Sequence, residues 1–379
     1  MRQIVTFFFW LLLLGGAFAA YDAHRFLTTP GSDTPEEIVI TIAQGATFDR
    51  VAWDLKKAGA ITDVTRFRLL GRFQDALGRV RAGEYQINTG WTPGEVLRQI
   101  TQGQALLYRL LIREGLTWWE TAREVEAQGF ARYEDFKEVI HDPAFLQSHN
   151  IPFANAEGFL YPDTYLRRKP RVLDKTEARE VAASLVMMFW NKTRPLWTAL
   201  PRKNAEPPGT RGSVTAPAAG SAEVVLPQES PAPPEPADMD PESLRRLVIL
   251  ASLVEKETAV PAERARVAGV YANRLRLDML LQCDPTIIYG IGEKFSGSIR
   301  KSQLADARNP YNTYVHAGLP PGPICSPGLE AVRAAVEPER HDFLYFVATG
   351  IDGGHTFSKT LEAHNRATQV YRSRMREGQ

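Results

Sequence analysis

An α+β fold, with a small α+β module followed by a larger mixed α/β domain, follows from three features of the chain. Short segments alternate apolar and polar residues with period two, longer ones place apolar residues at helical spacing, and one long proline-rich stretch interrupts the second half. The first element is the uncharged run from Ile4 to Ala20, seventeen residues after Met1-Arg2-Gln3. Its length is at the low edge of a membrane span. Ala17-Phe18-Ala19 resembles a small-residue cleavage site, which leaves a removable signal segment as the alternative. The long apolar run and the missing polar segment after it favour a retained anchor over residues 1–20, and either reading exports the rest. Residues 21–35 are a polar spacer. Glu36 to Ile42 then alternates as a strand, Gly45 to Leu55 reads as a capped helix, Val64 to Phe73 as a second helix, Ala82 to Ile87 as a strand and Thr92 to Ile100 as a helix. Together they define a module over 36–104.

The domain over 105–379 opens with a strand at Leu106 to Ile112 and a helix from Thr117 to Ala127, and continues with a long amphipathic helix from Lys175 to Leu200. Residues 204–240 hold eight prolines and no aromatic residue, too little apolar surface to offset the entropy of ordering, so they read as a disordered insertion. Asp240-Pro241 then starts a helix, with Asp240 as N-cap and Leu244, Leu247, Val248, Ala251 and Val254 on its apolar face. Pro261 closes it and begins the next, which runs through Leu275. A strand at Phe343 to Thr349, a Gly353-Gly354 hairpin turn and a terminal helix with Glu362 and His364 complete the chain.

The helix after Asp240 ends in Glu255-Lys256-Glu257. At a helix C-terminus, beside Leu250 and Leu253, a carboxyl group meets the negative end of the helix dipole and an apolar surround, and both favour its protonated form. That suits a general acid. The two glutamates are separated by roughly 200° around the helix, so they cannot flank one bond as a pair. Periodicity alone does not choose between them. Downstream, Leu281 to Gly290, Asn309 to Tyr314 and Gly318 to Gly328 concentrate Asn, Gln, Asp and Tyr, side chains that match sugar hydroxyls and ring faces. A net charge of +1, from 45 basic and 44 acidic residues, gives no field for nucleic acid. Two cysteines, Cys283 and Cys325, are too few for a disulfide framework or zinc site; one bridge or two free thiols are equally compatible with the sequence. A zinc site on His355 and His364 lacks the usual ligand context, and no cofactor is expected.

The strings Ala251-Ser-Leu-Val-Glu-Lys-Glu257, Leu281-Gln-x-Asp-Pro-Thr-x-x-Tyr-Gly290, Tyr311-Asn-Thr-Tyr314, Gly318-Leu-Pro-Pro-Gly322 and Gly354-His-Thr-Phe357 resemble the MltG (YceG-like) family of endolytic murein transglycosylases, as does Glu157-Gly-Phe-Leu-Tyr-Pro-Asp-Thr164. Gln44-Gly-Ala-Thr47 similarly resembles the start of a glycan-binding LysM module. The chain departs from the family's pattern in the proline-rich insertion and in Cys283 and Cys325, where relatives often carry other small residues. The resemblance implies a single-pass inner-membrane protein with its YceG-like domain in the periplasm, acting on nascent peptidoglycan strands and partnered by their synthases. It implies cleavage between N-acetylmuramic acid and N-acetylglucosamine to leave 1,6-anhydro ends. It assigns Glu257 as the catalytic acid and Glu255 to a supporting role. Gln282, Asp284, Asn312, Tyr314 and His355 are the candidates for holding sugar, and Glu157 and Asp284 for a second carboxylate if the bond were instead hydrolysed. A membrane-anchored glycan-binding scaffold is the non-enzymatic alternative.

Overall fold

The computed structural model describes residues 2–43, 45–170, 172–199, 239–350 and 353–377. The proline-rich expectation over 204–240 therefore falls, apart from its last two residues, outside the described residues, as does Gln44. The chain divides into two compact units, Met1–Arg109 with Leu166–Lys169, and Leu110–Tyr165 with Pro170–Gln379.

The first unit opens with helix α1 (Arg2–Thr28), followed by β1 (Glu37–Ile42), α2 (Phe48–Lys57), α3 (Val64–Phe73), β2 (Gly83–Asn88), α4 (Pro93–Gln102) and the start of β3 (Tyr108–Leu111). Capping sets these boundaries. The Thr47 and Asp63 side chains accept from the Arg50 and Arg66 amides, and Thr92 forms a reciprocal box with Glu95. The first cap explains why α2 begins three residues later than its periodicity suggests. β1 and β2 pair antiparallel, Ile38 opposite Ile87 and Ile40 opposite Tyr85, and their inward residues form a core with Phe48, Leu55, Phe67, Leu97 and Ile100. Phe26, near the end of α1, is also part of that core. Among the described residues no helix is long and apolar enough to cross a membrane.

The second unit is largely helical. α5 (Trp118–Ala127), α6 (Tyr133–Ile140) and α7 (Pro143–Ser148) precede β4 (Thr164–Arg167), whose first residues belong here, and α8 (Lys175–Thr193), which continues as a 3-10 turn to Ala199. After the insertion come α9 (Pro241–Glu257), α10 (Arg264–Arg276), α11 (Asp284–Ile291), α12 (Lys301–Leu304), α13 (Leu329–Val336), β5 (Tyr345–Ala348), β6 (His355–Ser358) and α14 (Leu361–Glu377). The described strands form three two-stranded sheets, β1 with β2, β3 with β4 and β5 with β6, so this unit is α+β and not a parallel α/β sheet. The glycine hairpin is as expected, with β5 and β6 paired antiparallel. Gly353 takes the left-handed φ of 67 that the turn requires.

Candidate active site

α9 is the spine of the site. Asp240 caps it, its carboxylate accepting from the Ser243 amide at 2.8 Å. Such a cap satisfies an amide that the first turn leaves open, and Val248, Ala251, Leu253 and Val254 are buried along the helix. Ser252 fixes its partner loop, for its hydroxyl accepts from the Ile324 amide at 3.0 Å and its carbonyl from the Cys325 thiol at 3.3 Å. Glu257 is the last helical residue. Thr258 leaves the helix in extended geometry, so the carboxylate stands where the helix carbonyls end.

The two glutamates of the motif have different surroundings. Glu255 is locked, with a side chain only 5% exposed, an oxygen accepting from the Gly328 amide at 3.0 Å and Arg264 at 3.5 Å from the other. Glu257 has no ion pair with a Lys or Arg among the described residues. Its Oε1 accepts from the Tyr271 hydroxyl at 2.9 Å, and the Cys283 thiol beside the same carboxylate favours its ionised form. Burial raises its pKa first of all; the thiol and hydroxyl pull it back, nearby Asp284 raises it and His355 lowers it. Its surroundings are dense, yet the residue keeps part of its surface open to solvent. A carboxyl whose pKa is raised by burial is the kind of group that acid catalysis uses.

Tertiary contacts bring most of the predicted sugar-contacting residues around it. Asp284 is exposed at the start of α11 and accepts from the Tyr314 hydroxyl at 2.6 Å. His355 opens β6, where Glu263 receives its backbone amide at 2.9 Å and holds Nδ1 at 2.7 Å. That pairing leaves Nε2 as the ring nitrogen for a ligand. Gln282 is exposed beside them in the left-handed conformation, with φ 52, held by its amide to the Thr313 carbonyl at 3.1 Å. Few residues other than glycine adopt that conformation, and here the turn sends Cys283 inward and Asp284 outward.

Asn312 behaves differently and corrects the expectation. It is fully buried. Its amide nitrogen lies 3.1 Å from the Gln303 carbonyl, 3.2 Å from that of Leu304 and 3.0 Å from that of Asp306. Its oxygen accepts from the Tyr314 amide, so no polar atom is left for a sugar. It is a positioning residue for the loop that presents Tyr314. Glu157 is also withdrawn from the surface: it is 1% exposed, accepts from the Trp118 amide at 2.8 Å and is pushed up to about 8 by burial. The cysteines are both free and buried, not bridged. His355 pairs with Glu263 and His364 stacks on Tyr345 at 5.3 Å, and among the described residues no group of three or more His, Cys, Asp and Glu could hold a metal ion.

Sequence reasoning missed Tyr271, Cys283, Glu263 and Arg274 as parts of the site. Tyr271 and Arg274 share one buried face of α10, a spacing that could have marked them. Arg274 spends its donors on the carbonyls of Leu280, Leu281 and Leu344 and stacks over Tyr345, tying the Gln282 turn to β5. Glu263 reaches His355 across 92 residues, a pairing with no local signal.

The candidate site thus gathers a burial-perturbed carboxyl, Glu257, with Asp284, Tyr314 and His355 on an α+β scaffold. The sequence pattern of the YceG-like family matches residues 40–370, and the chain belongs to that family. It is 26% identical to the endolytic murein transglycosylase of Bacillus subtilis (strain 168), over 97% of this chain and 93% of that protein. It is 24% identical to the endolytic murein transglycosylase of Streptococcus pneumoniae serotype 2 (strain D39), over 96% of this chain and 64% of that longer protein. A crystal structure of a YceG-like protein from Listeria monocytogenes is similar with a TM-score of 0.50 and 25% identity, covering 88% of this chain and 99% of that one.

Proposed function

We propose that the protein is an endolytic lytic transglycosylase of peptidoglycan, and the observation that carries this is the environment of Glu257. Family membership and the similarity to the endolytic murein transglycosylases of Bacillus and Streptococcus support the same reading. Protonated Glu257 donates to the glycosidic oxygen between N-acetylmuramic acid and N-acetylglucosamine, and the C1–O bond breaks through an oxocarbenium-like state. The carboxylate so formed takes the proton of the muramoyl C6 hydroxyl, whose oxygen closes on C1 to give the 1,6-anhydro end. One carboxyl group serves both transfers. The Tyr271 hydroxyl and Cys283 thiol support its ionised form between them. Gln282, Asp284, Tyr314 and His355 hold the sugars.

Hydrolysis of the same bond is the second reading, favoured by one observation: Asp284 is an exposed carboxylate close enough to raise the pKa of Glu257. Glu157, fully buried on a backbone amide, is not a candidate for that role. Mass spectrometry of products from uncrosslinked glycan separates the two. Anhydro ends, one water lighter, support the lytic route; reducing ends exclude it.

The remaining assignments extend the same proposal. α1 serves as a single-pass inner-membrane anchor that leaves the second unit in the periplasm, and the uncharged run Ile4 to Ala20 supports this. So do Leu12, Leu14 and Phe18, which expose 76%, 66% and 72% of their surface. Among the described residues α1 is not long and apolar enough for a span, so the anchor rests on the uncharged run of the sequence. The paired β1 and β2 with α2 and α3 between them support a LysM-like, glycan-binding role for the first unit. New strands leaving a membrane-bound synthase are the fitting substrate, and that synthase the fitting partner.

A further inference from the structure

α3 buries one face and leaves a second, chemically distinct one without cover. Phe67 is fully buried, and Gly71 lies against the Phe48 ring so tightly that a Cβ there would stand 2.5 Å from a ring carbon. Residues 69 and 73 follow these two by two positions, roughly 200° around the helix. Leu69 is accordingly 61% exposed and Phe73 92% exposed. Arg66, Arg68 and Arg72 accompany them, Arg68 paired with Asp49 at 3.2 Å, and the helix itself carries no acidic residue. Two contacts then fix the relation of this helix to α1. Arg66 pairs with Asp22 at 2.9 Å, and Phe26 is 5% exposed within the core of the same unit. Asp22 is two residues beyond the apolar run that ends at Ala20, a rise of about 3 Å.

We infer that the Leu69–Phe73 face of α3 docks on the headgroup layer of the bilayer that α1 enters, with the two apolar side chains in the interface and Arg72 on anionic lipid phosphates. The inference rests on the anchor reading of α1. An apolar pair flanked by guanidinium groups is the chemistry of an interfacial helix face, and arginine forks match phosphate oxygens. The Asp22–Arg66 pair places the start of α3 at headgroup depth once α1 is inserted. The first unit would then lie on the membrane surface, not on a free tether.

The full chain in phosphatidylcholine–phosphatidylglycerol nanodiscs tests this, with an environment-sensitive fluorophore at Phe73→Cys or, separately, Leu12→Cys. The unsubstituted chain, whose two thiols are buried, serves as the labelling blank. At position 73 we expect quenching by nitroxide on the lipid headgroup and iodide quenching several-fold weaker than for the same dye on free cysteine, with the protection reduced when phosphatidylglycerol is omitted. At position 12 we expect quenching by nitroxide deep in the acyl chains. A shielded position 12 with position 73 as open to iodide as the free dye overturns the docking and leaves the anchor standing. Shielding at 73 without lipid quenching assigns the face to a second copy or another protein, and also overturns it. An iodide-accessible position 12 removes the anchor and the docking with it.

Discussion

At the residue scale, neighbours divide the labour among chemically similar groups. Glu255 and Glu257 are two residues apart, yet Glu255 is clamped by Arg264 while Glu257 meets the Tyr271 hydroxyl and the Cys283 thiol, with Asp284 and His355 nearby. The sequence made a carboxylate at this helix end legible as a proton donor, because dipole and apolar surround are local. It did not reveal which partners tune it, since Tyr271 and Cys283 arrive through tertiary packing. Tyr271→Phe removes a donor that favours the carboxylate, so the Glu257 pKa should rise further. Its acid form then survives to higher pH, and the basic limb of the pH–rate profile should move up by about one unit; an unmoved limb would show that the hydroxyl does not tune the acid. Asn312 was legible as a sugar-binding type but not as a buried one. Asn312→Ala strips several carbonyls of their donor, and chemical denaturation should show a loss of about 2 to 4 kcal/mol.

At the element scale, the helices read best from sequence are those whose start signals are local. Asp240-Pro241, Thr92-Pro93 and Thr117 with Glu120 each satisfy amide groups that the first turn leaves open, and α9, α4 and α5 begin there. α6 starts after Arg132, which provides no side-chain cap, and is held by burial of Phe136, Val139 and Ile140, so the acidic Glu134 and Asp135 of its first turn are its local start signal. β4, four residues long, carries a faint signal. Asp240→Ala removes the α9 cap and should cost about 1 kcal/mol in chemical denaturation, with a matching fall in turnover at temperatures near unfolding. A variant as stable as the parent would show that packing of α9 alone fixes where the helix starts.

At the scale of the whole molecule, buried carboxyl groups give stability a definite pH dependence. Burial carries Glu157 from an ordinary 4.5 to about 8, and Glu257 shifts in the same direction. The folded state therefore binds these protons more tightly than the unfolded chain. The contribution of Glu157 is complete below about pH 4.5 and is lost as pH rises through about 8, and that of Glu257 has the same sign. Glu157→Gln should flatten the fall in melting temperature between about pH 5 and 9, and parallel curves for the two proteins would contradict the assignment. The α+β class and most elements of the first unit were accessible from the residues alone; the pairing of Glu263 with His355 and the burial of Asn312 required the fold. The central claim is that one carboxyl group, Glu257, both gives and recovers the proton. It is tested most directly by incubating wild-type and Glu257→Gln protein with uncrosslinked glycan and measuring anhydro-ended products by mass together with glycan binding. Release should fall by several orders of magnitude with binding retained. Near-wild-type release by the variant would contradict the account.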